Sequence, residues 1–244
     1  MKAELIDRMG TDLTVVNAAR VSFDKESDWY EEPYTVYGNN GEYLGTNYKD
    51  QALAEKDQKL LNYLAKHNHW TPFSHVMITM RETVPIFVAR QRFKHMVGFT
   101  YNEISRRYVS DEPSFYIPDS WRRAAENKKQ GSSDELVDEK KLFVDFSGDP
   151  YDMADYKDVV DLCGRWYQNA IDNGVAPEQA RMVLPQSMYT SYYVTGSLAA
   201  WARAYKLRVD PHAQKEIQDL AHQWGNIIEN ISELKYSWKA LTSE

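Results

Sequence analysis

The chain has a single cysteine, Cys163, in 244 residues. One thiol forms no disulfide framework and no cysteine-based zinc site, so the expected setting is a reducing cytoplasm. No run of 18 apolar residues occurs, and Met1-Lys2-Ala3-Glu4 leads into no signal-peptide core, so no membrane partner is expected. Positive charge is in deficit. Against 36 Asp and Glu stand 29 Lys and Arg, giving a net charge of −7 and a pI near 5.5. A sequence-independent grip on DNA or RNA needs a dominant basic field, so no nucleic-acid partner is expected either. The sequence also lacks G-x-G-x-x-G, the P-loop pattern and G-x-S-x-G, which excludes those phosphate cradles and the hydrolase elbow. It does not lack core material. Hydrophobic residues make up 43% and aromatics 13%, which rules out wholesale disorder.

Periodicity divides the chain unevenly. Residues 1–6 read as a short strand and Thr11–Phe23 as a helix with Asp12 in its first turn. Leu53, Leu60, Leu61 and Leu64 mark one helix face, ending near Lys66. Val76–Val84 is rich in β-formers, and Ser114–Ile117 is a second strand candidate. From Asp152 onward the pattern is mostly helical. Met153, Tyr156, Val160, Cys163 and Tyr167 recur at helical spacing before Gly174 at a C-cap, and Asp210-Pro211 reads as a helix start. Two stretches stand apart: a turn-rich segment at 25–49 and a charge-rich segment at 122–150, the latter read as a solvated helix. A few strands in front of many helices argue for α+β, and no boundary divides the single domain, 1–244.

Residues 85–108, PIFVARQRFKHMVGFTYNEISRRY, carry the chemistry. Wound as a helix from Pro85 to Val97, they place Ile86, Ala89, Phe93, Met96 and Val97 on one stripe, with Arg90, Gln91, Lys94 and His95 opposite. Arg90, Arg92, Lys94, Arg106 and Arg107 face a single acid, Glu103. In a protein of net −7, this cluster fits a compact anion better than a long polyanion, with arginine forks matched to phosphate. Arg181 and Arg208, both in apolar surroundings, add to it. Cys163 falls on an apolar helix stripe, a place for a buried hydrophobe rather than a nucleophile. His67, His69 and His75 are too thin a ligand set for a metal, so none is expected; they are read as pocket-lining or capping residues.

Several ordered motifs together resemble the flavin-dependent thymidylate synthases. They are Met9-Gly10-x-Asp12-Leu13, Ala18-Ala19-Arg20-Val21-Ser22-Phe23 and Lys66-His67-x-His69-x-Thr71-Pro72-Phe73-x-His75. Then come Pro85 to Gln91, Asn102-Glu103-x-Ser105-x-Arg107-Tyr108, Phe115 to Pro118, Ala180-Arg181-x-Val183-Leu184-Pro185 and Leu207-Arg208-x-Asp210-x-His212-Ala213-Gln214. The family's signature is Arg-His-Arg, seven residues, then Ser. Here it is Lys94-His95-Met96, then Val97 to Ile104, then Ser105, so two arginines are replaced and one residue is inserted. Lys94 keeps a charge without the bidentate fork, and Arg92 is the candidate to make up for Met96.

The resemblance implies the thymidylate synthase-complementing protein fold, α+β, with a small antiparallel-rich sheet, many flanking helices and insertions at 25–49 and 122–150. It implies reductive methylation of dUMP to dTMP, with 5,10-methylenetetrahydrofolate as one-carbon donor, FAD as cofactor and NADPH as reductant. The implied assembly is a homotetramer with active sites shared between subunits. Positions matching the dUMP site are Gln91, Arg92, Phe93, Lys94, Glu103, Ile104, Ser105, Arg106, Arg107, Arg181 and Arg208. Those matching the FAD site are Thr71, Lys94, His95, Met96, Glu103, Ser197, Ala199 and Arg203. Arg208 and Ser105 are the catalytic candidates: Arg208 polarises the uracil, and Ser105 is a substrate contact, since no histidine–acid pair is evident to activate it. No cysteine nucleophile is used. Two other readings stay open, a related flavoenzyme modifying another pyrimidine nucleotide and a non-catalytic nucleotide- or RNA-binding protein.

Overall fold

The computed structural model describes residues 1–109, 111–126, 131–145 and 153–243. Strand β1 (Lys2–Met9) leads into helix α1 (Asp12–Arg20), which Thr11 starts with a capping box, its hydroxyl accepting from the backbone N–H of Thr14. Strands β2 (Tyr30–Tyr37) and β3 (Tyr43–Ala52) precede helix α2 (Glu55–Lys66). A 3-10 turn over Pro72–His75 opens into β4 (Met77–Pro85), helix α3 (Ile86–Arg92) and β5 (Phe99–Glu103). Short strands β6 (Arg122–Ala124), β7 (Ser132–Leu136), β8 (Val144–Asp145) and β9 (Met153–Ala154) follow. Then come α4 (Tyr156–Asp172), α5 (Pro177–Ala180), β10 (Tyr189–Ser197), α6 (Leu198–Arg208), α7 (Lys215–Glu229) and α8 (Lys235–Thr242).

The central sheet is antiparallel, in the order β1-β4-β10-β5. Its two middle strands alternate strictly. Ile78, Met80, Glu82 and Val84 of β4 are buried, as are Thr190, Tyr192 and Val194 of β10. The opposite face is polar: Arg81 donates to the Ser191 hydroxyl, and Thr79 hydrogen-bonds Thr195. Residues 189–197 fall in the region expected to be mostly helical, and 99–103 carry no strand expectation; both are strands of this sheet. The inward face packs on Leu198 and Trp201 of α6 and on Ile217, Leu220, Trp224 and Ile228 of α7. Val15 and Val16 of α1 and Leu61 and Leu64 of α2 extend the same core.

Three further expectations are corrected. The 25–49 stretch is not a loop: much of it forms the β2–β3 hairpin, turned at Gly38–Gly41. The 122–150 stretch is no helix either. Its described part forms the β6–β7 hairpin, a 3-10 turn over Glu139–Leu142 and strand β8, with Arg123 of β6 paired across the ribbon with Glu135 of β7. Arg122 ties that hairpin to the core by donating to the buried Glu216 carboxylate at 2.5 Å. Helix α7 starts at Lys215 rather than at Asp210-Pro211, since the Asp210 carboxylate instead accepts from the His212 backbone N–H and closes a local turn. No helix among the described residues is long and apolar enough to cross a membrane.

The C-terminal helix is held from a distance. The fully buried Asp12 carboxylate accepts from the backbone N–H groups of Tyr236 at 3.0 Å and Ser237 at 2.7 Å, satisfying donors at the start of α8. Burial raises the Asp12 pKa above its ordinary value, against the pull of these hydrogen bonds. Asp12→Ala leaves two buried N–H groups without an acceptor and is expected to lower stability by about 2 kcal/mol. Urea denaturation checks this; an unchanged midpoint contradicts it.

Candidate active site

Two clefts flank the segment that carries the basic cluster. The first, of about 630 Å³, lies between α3, the end of β5, β10 and the turn after α5. Arg90 comes from α3 and Phe93 from its C-cap, Glu103 to Arg107 from the end of β5 and the turn beyond it, and Arg181 from the 3-10 turn following α5. Four arginines therefore line one small cleft. Its floor is apolar, from Ile86, Leu184 and Met188. Thr190 donates to the Glu103 carboxylate at 2.6 Å, and the Ser105 hydroxyl accepts from the Arg107 backbone N–H at 3.3 Å. The Arg107 guanidinium lies over the Tyr108 ring, 5.3 Å from its centroid, while Arg106 is tied to the Asp111 carbonyl.

The second cleft is larger, about 1150 Å³, between the 65–77 segment, the turn before β5 and helix α6. Trp70, Val97, Phe99 and Leu207 give it apolar walls, and Arg203 and Lys206 place cations at its side. Gly98 is what brings that turn against α6. It sits at φ +79°, and a Cβ there would lie 2.8 Å from the Ala200 Cβ; its carbonyl accepts from the Ser197 backbone N–H. Gly196 of β10 is equally constrained, because a side chain would collide with the Phe99 ring that crosses it.

The structure sorts the candidates drawn from sequence. Phe93, Glu103, Ile104, Ser105, Arg106, Arg107 and Arg181 line the arginine cleft; Ser197, Ala199 and Arg203 line the larger one. Gln91, Lys94, Thr71 and Met96 line neither: Gln91 is half-buried, and the other three are exposed on the surface. Arg92 is a correction. Helix α3 ends at Arg92 instead of running to Val97, and its buried side is Val88, Ala89 and Arg92. The Arg92 guanidinium is wholly enclosed and paired with Glu82, so it reaches no ligand and does not stand in for Met96. Arg208 lines neither cleft. It donates through Nε to His95 Nε2 at 2.7 Å. Arg90 and Thr190 are missing from the sequence list; Arg90 was legible as part of the basic face, whereas Thr190 depended on recognising β10. His67 and His69 are exposed and share ring contacts with Tyr63 rather than lining a cleft. Cys163 is half-buried in α4.

This geometry has recognisable relatives. The chain belongs to the thymidylate synthase complementing protein family, which it matches over residues 4–232. It is 36% identical over 226 residues to the flavin-dependent thymidylate synthase of Thermosipho africanus, covering 91% of this chain and 83% of that one. The enzyme of the same description from Thermus thermophilus is 34% identical over 224 residues, with 92% and 70% covered. Among solved structures, the chain resembles the UMP/dUMP methylase PolB from Streptomyces cacaoi bound with 5-Br dUMP, at 25% identity and a TM-score of 0.68 over 99% of this chain and 94% of that one.

His95 is a titratable group strongly altered by its place. Burial, with the nearby charges of Arg208, Arg92 and Arg203, lowers its pKa to about 4. The imidazole is therefore neutral at pH 7 and accepts from Arg208. A folded pKa below the unfolded value near 6.5 gives stability that is fully present above pH 6.5 and lost as pH falls toward 4. At about pH 5 the loss amounts to up to about 2 kcal/mol. In His95→Gln, which cannot titrate, that part of the acid destabilisation is expected to vanish. Denaturation midpoints of the two proteins that fall in parallel between pH 7.5 and 5 contradict this.

Proposed function

We propose that this protein methylates dUMP to dTMP with a flavin, using FAD in the larger cleft, NADPH as reductant and 5,10-methylenetetrahydrofolate as one-carbon donor. The observation that carries this reading is the arginine cleft in a chain of net −7. Arg107 and Arg181 offer planar forks to a nucleotide phosphate, with Arg90 and Arg106 adding to the field. Ser105, whose oxygen accepts from the Arg107 N–H, keeps its own proton to donate to the same phosphate. Glu103, steadied by Thr190, presents the cleft's acceptor for a nucleotide N–H or hydroxyl. The apolar floor holds the rest of the ligand out of water.

The larger cleft fits a flavin on its own chemistry. Its volume is ample, Trp70, Val97 and Phe99 suit a flat ring system, and Arg203 and Lys206 suit a pyrophosphate. Ser197 and Ala199 complete the wall at the start of α6. Bound there, FAD supplies hydride transfer, with NADPH as the source of the electrons. The protein's own part is to orient and polarise. Arg208 stabilises negative charge developing on the uracil edge, which makes C5 nucleophilic without addition of a thiolate. Cys163 has no role in this chemistry.

We propose further that the enzyme is a cytoplasmic homotetramer whose active sites draw on more than one subunit. Two observations support it. Arg208, Thr71 and Met96 lie outside the clefts of their own chain. Large apolar side chains beside those clefts are bare, with Met96 72%, Val97 74% and Met182 79% exposed.

Purified protein is expected to show flavin absorption and to form dTMP from dUMP, methylenetetrahydrofolate and NADPH; a colourless preparation that takes up no FAD contradicts the reading. Because the solved neighbour is a methylase of UMP as well as dUMP, UMP is the comparison substrate. Arg107→Ala and Arg181→Ala each remove a charge-assisted contact and are expected to weaken dUMP binding about 10- to 100-fold by calorimetry. Unchanged affinity takes the residue out of the phosphate site. Cys163→Ala is expected to keep kcat within about twofold; loss of turnover in a folded variant contradicts a thiol-independent mechanism.

A further inference from the structure

The core of this protein holds an ion pair that the proposed chemistry does not touch. Arg92 and Glu82 are both fully buried, with Nε donating to the two carboxylate oxygens at 3.2 and 3.3 Å. Tyr192, directly across the sheet from Glu82, donates its hydroxyl to the same carboxylate at 2.5 Å. The guanidinium carbon lies 4.4 Å from the ring centroid of Phe99, 4.6 Å from Trp224 and 4.9 Å from Trp201. One of its terminal nitrogens, Nη2, has no hydrogen-bond partner among the described residues. A buried pair of this kind gives little net stability, since well-packed apolar side chains do as well or better. Its value lies in direction, and the direction is traceable.

Arg92 Nη1 donates to the Tyr101 hydroxyl. That hydroxyl donates in turn to the backbone carbonyl of His95 at 2.7 Å. Burial pushes the Tyr101 pKa up to about 12, so it keeps the proton it donates. The His95 ring then receives the Arg208 Nε–H at 2.7 Å, and Arg203 binds the Val97 carbonyl two residues on. A continuous set of contacts runs from the sheet interior to Arg208.

We propose that Arg92 and Tyr101 are positioning residues for the methylation: anchored on Glu82, they fix the 93–98 turn so that His95 holds Arg208 at the angle the reaction requires. The inference rests on the functional reading above, in which Arg208 polarises the pyrimidine. It also accounts for how the chain keeps a defined turn with Lys94 and Met96 in place of two arginines: the turn is held from beneath.

The test is Tyr101→Phe, which keeps the ring and removes the hydroxyl. Expected are a thermal midpoint within a few degrees of wild type, a KM for dUMP changed less than about threefold and a kcat lowered at least about tenfold, as small misplacements of a catalytic group produce. A purely structural Tyr101 moves the melting point and leaves kcat per folded molecule alone, and that result overturns the proposal. A second readout is independent of turnover. Hydrogen exchange at the Arg208 Nε proton, followed by NMR, is expected to be at least about tenfold faster in the variant; equal exchange overturns the proposal. If Tyr101→Phe does not fold, His95→Gln and His95→Leu carry the test. Glutamine still offers Arg208 an acceptor and is expected to keep kcat at least about tenfold above leucine; equal values overturn the proposal. Wild type that forms no dTMP defeats the functional reading, whereas active wild type with an indifferent Tyr101→Phe defeats the positioning alone.

Discussion

The enclosure of the Arg92 guanidinium beneath the inward face of the central sheet is the constraint around which this molecule is arranged. A cation deprived of water needs a carboxylate and polarisable surfaces, and the fold supplies both from distant segments. Glu82 comes from β4, Tyr192 from β10, Phe99 and Tyr101 from β5, Trp201 from α6 and Trp224 from α7. Those elements cannot slide against one another without unpairing a buried charge. The segment between α3 and β5, at the middle of the basic cluster, is thereby fastened at both ends.

From this anchored segment the two clefts face different neighbours. The arginine cleft is polar at its mouth and small, suited to a charged nucleotide; the other is larger and mainly apolar, suited to a ring system with an anionic tail. The division of labour follows from chain direction. Helix α3 contributes to the arginine cleft, the glycine turn at 98 crosses to the larger one, and β5 returns to the first. The two clefts thus lie on opposite sides of one short stretch of backbone, and the proposed function assigns the nucleotide to one and the flavin to the other.

Much of this was legible from residues alone, and the failures have physical causes. Helices α1, α2 and α4 show clean apolar spacing, and β4 is dense in β-formers, so those elements were evident. Strand β10 was hidden because the residues it turns inward include Thr190 and Tyr192, which do not read as an apolar face. The β6–β7 hairpin was read as helix because a two-stranded ribbon with both faces in solvent carries no hydrophobic period to betray it. The arginine cleft was foreseen in large part, since charge clustering within 24 residues is a local signal. The role of Arg92 was not foreseen. Charge argued for the surface, while its spacing of four from Val88 and three from Ala89 argued for the core, and only the pairing with Glu82 decides between them.

The central claim is that the ligand-facing arginines and the buried arginine do separate jobs. A crystal structure of the protein with dUMP bound tests it most directly. The account predicts the phosphate within hydrogen-bond reach of Arg107 and Arg181, with the Arg92 guanidinium still on Glu82 and out of contact with the nucleotide. A phosphate seated away from both of those residues, or Arg92 swung out to meet it, contradicts the account.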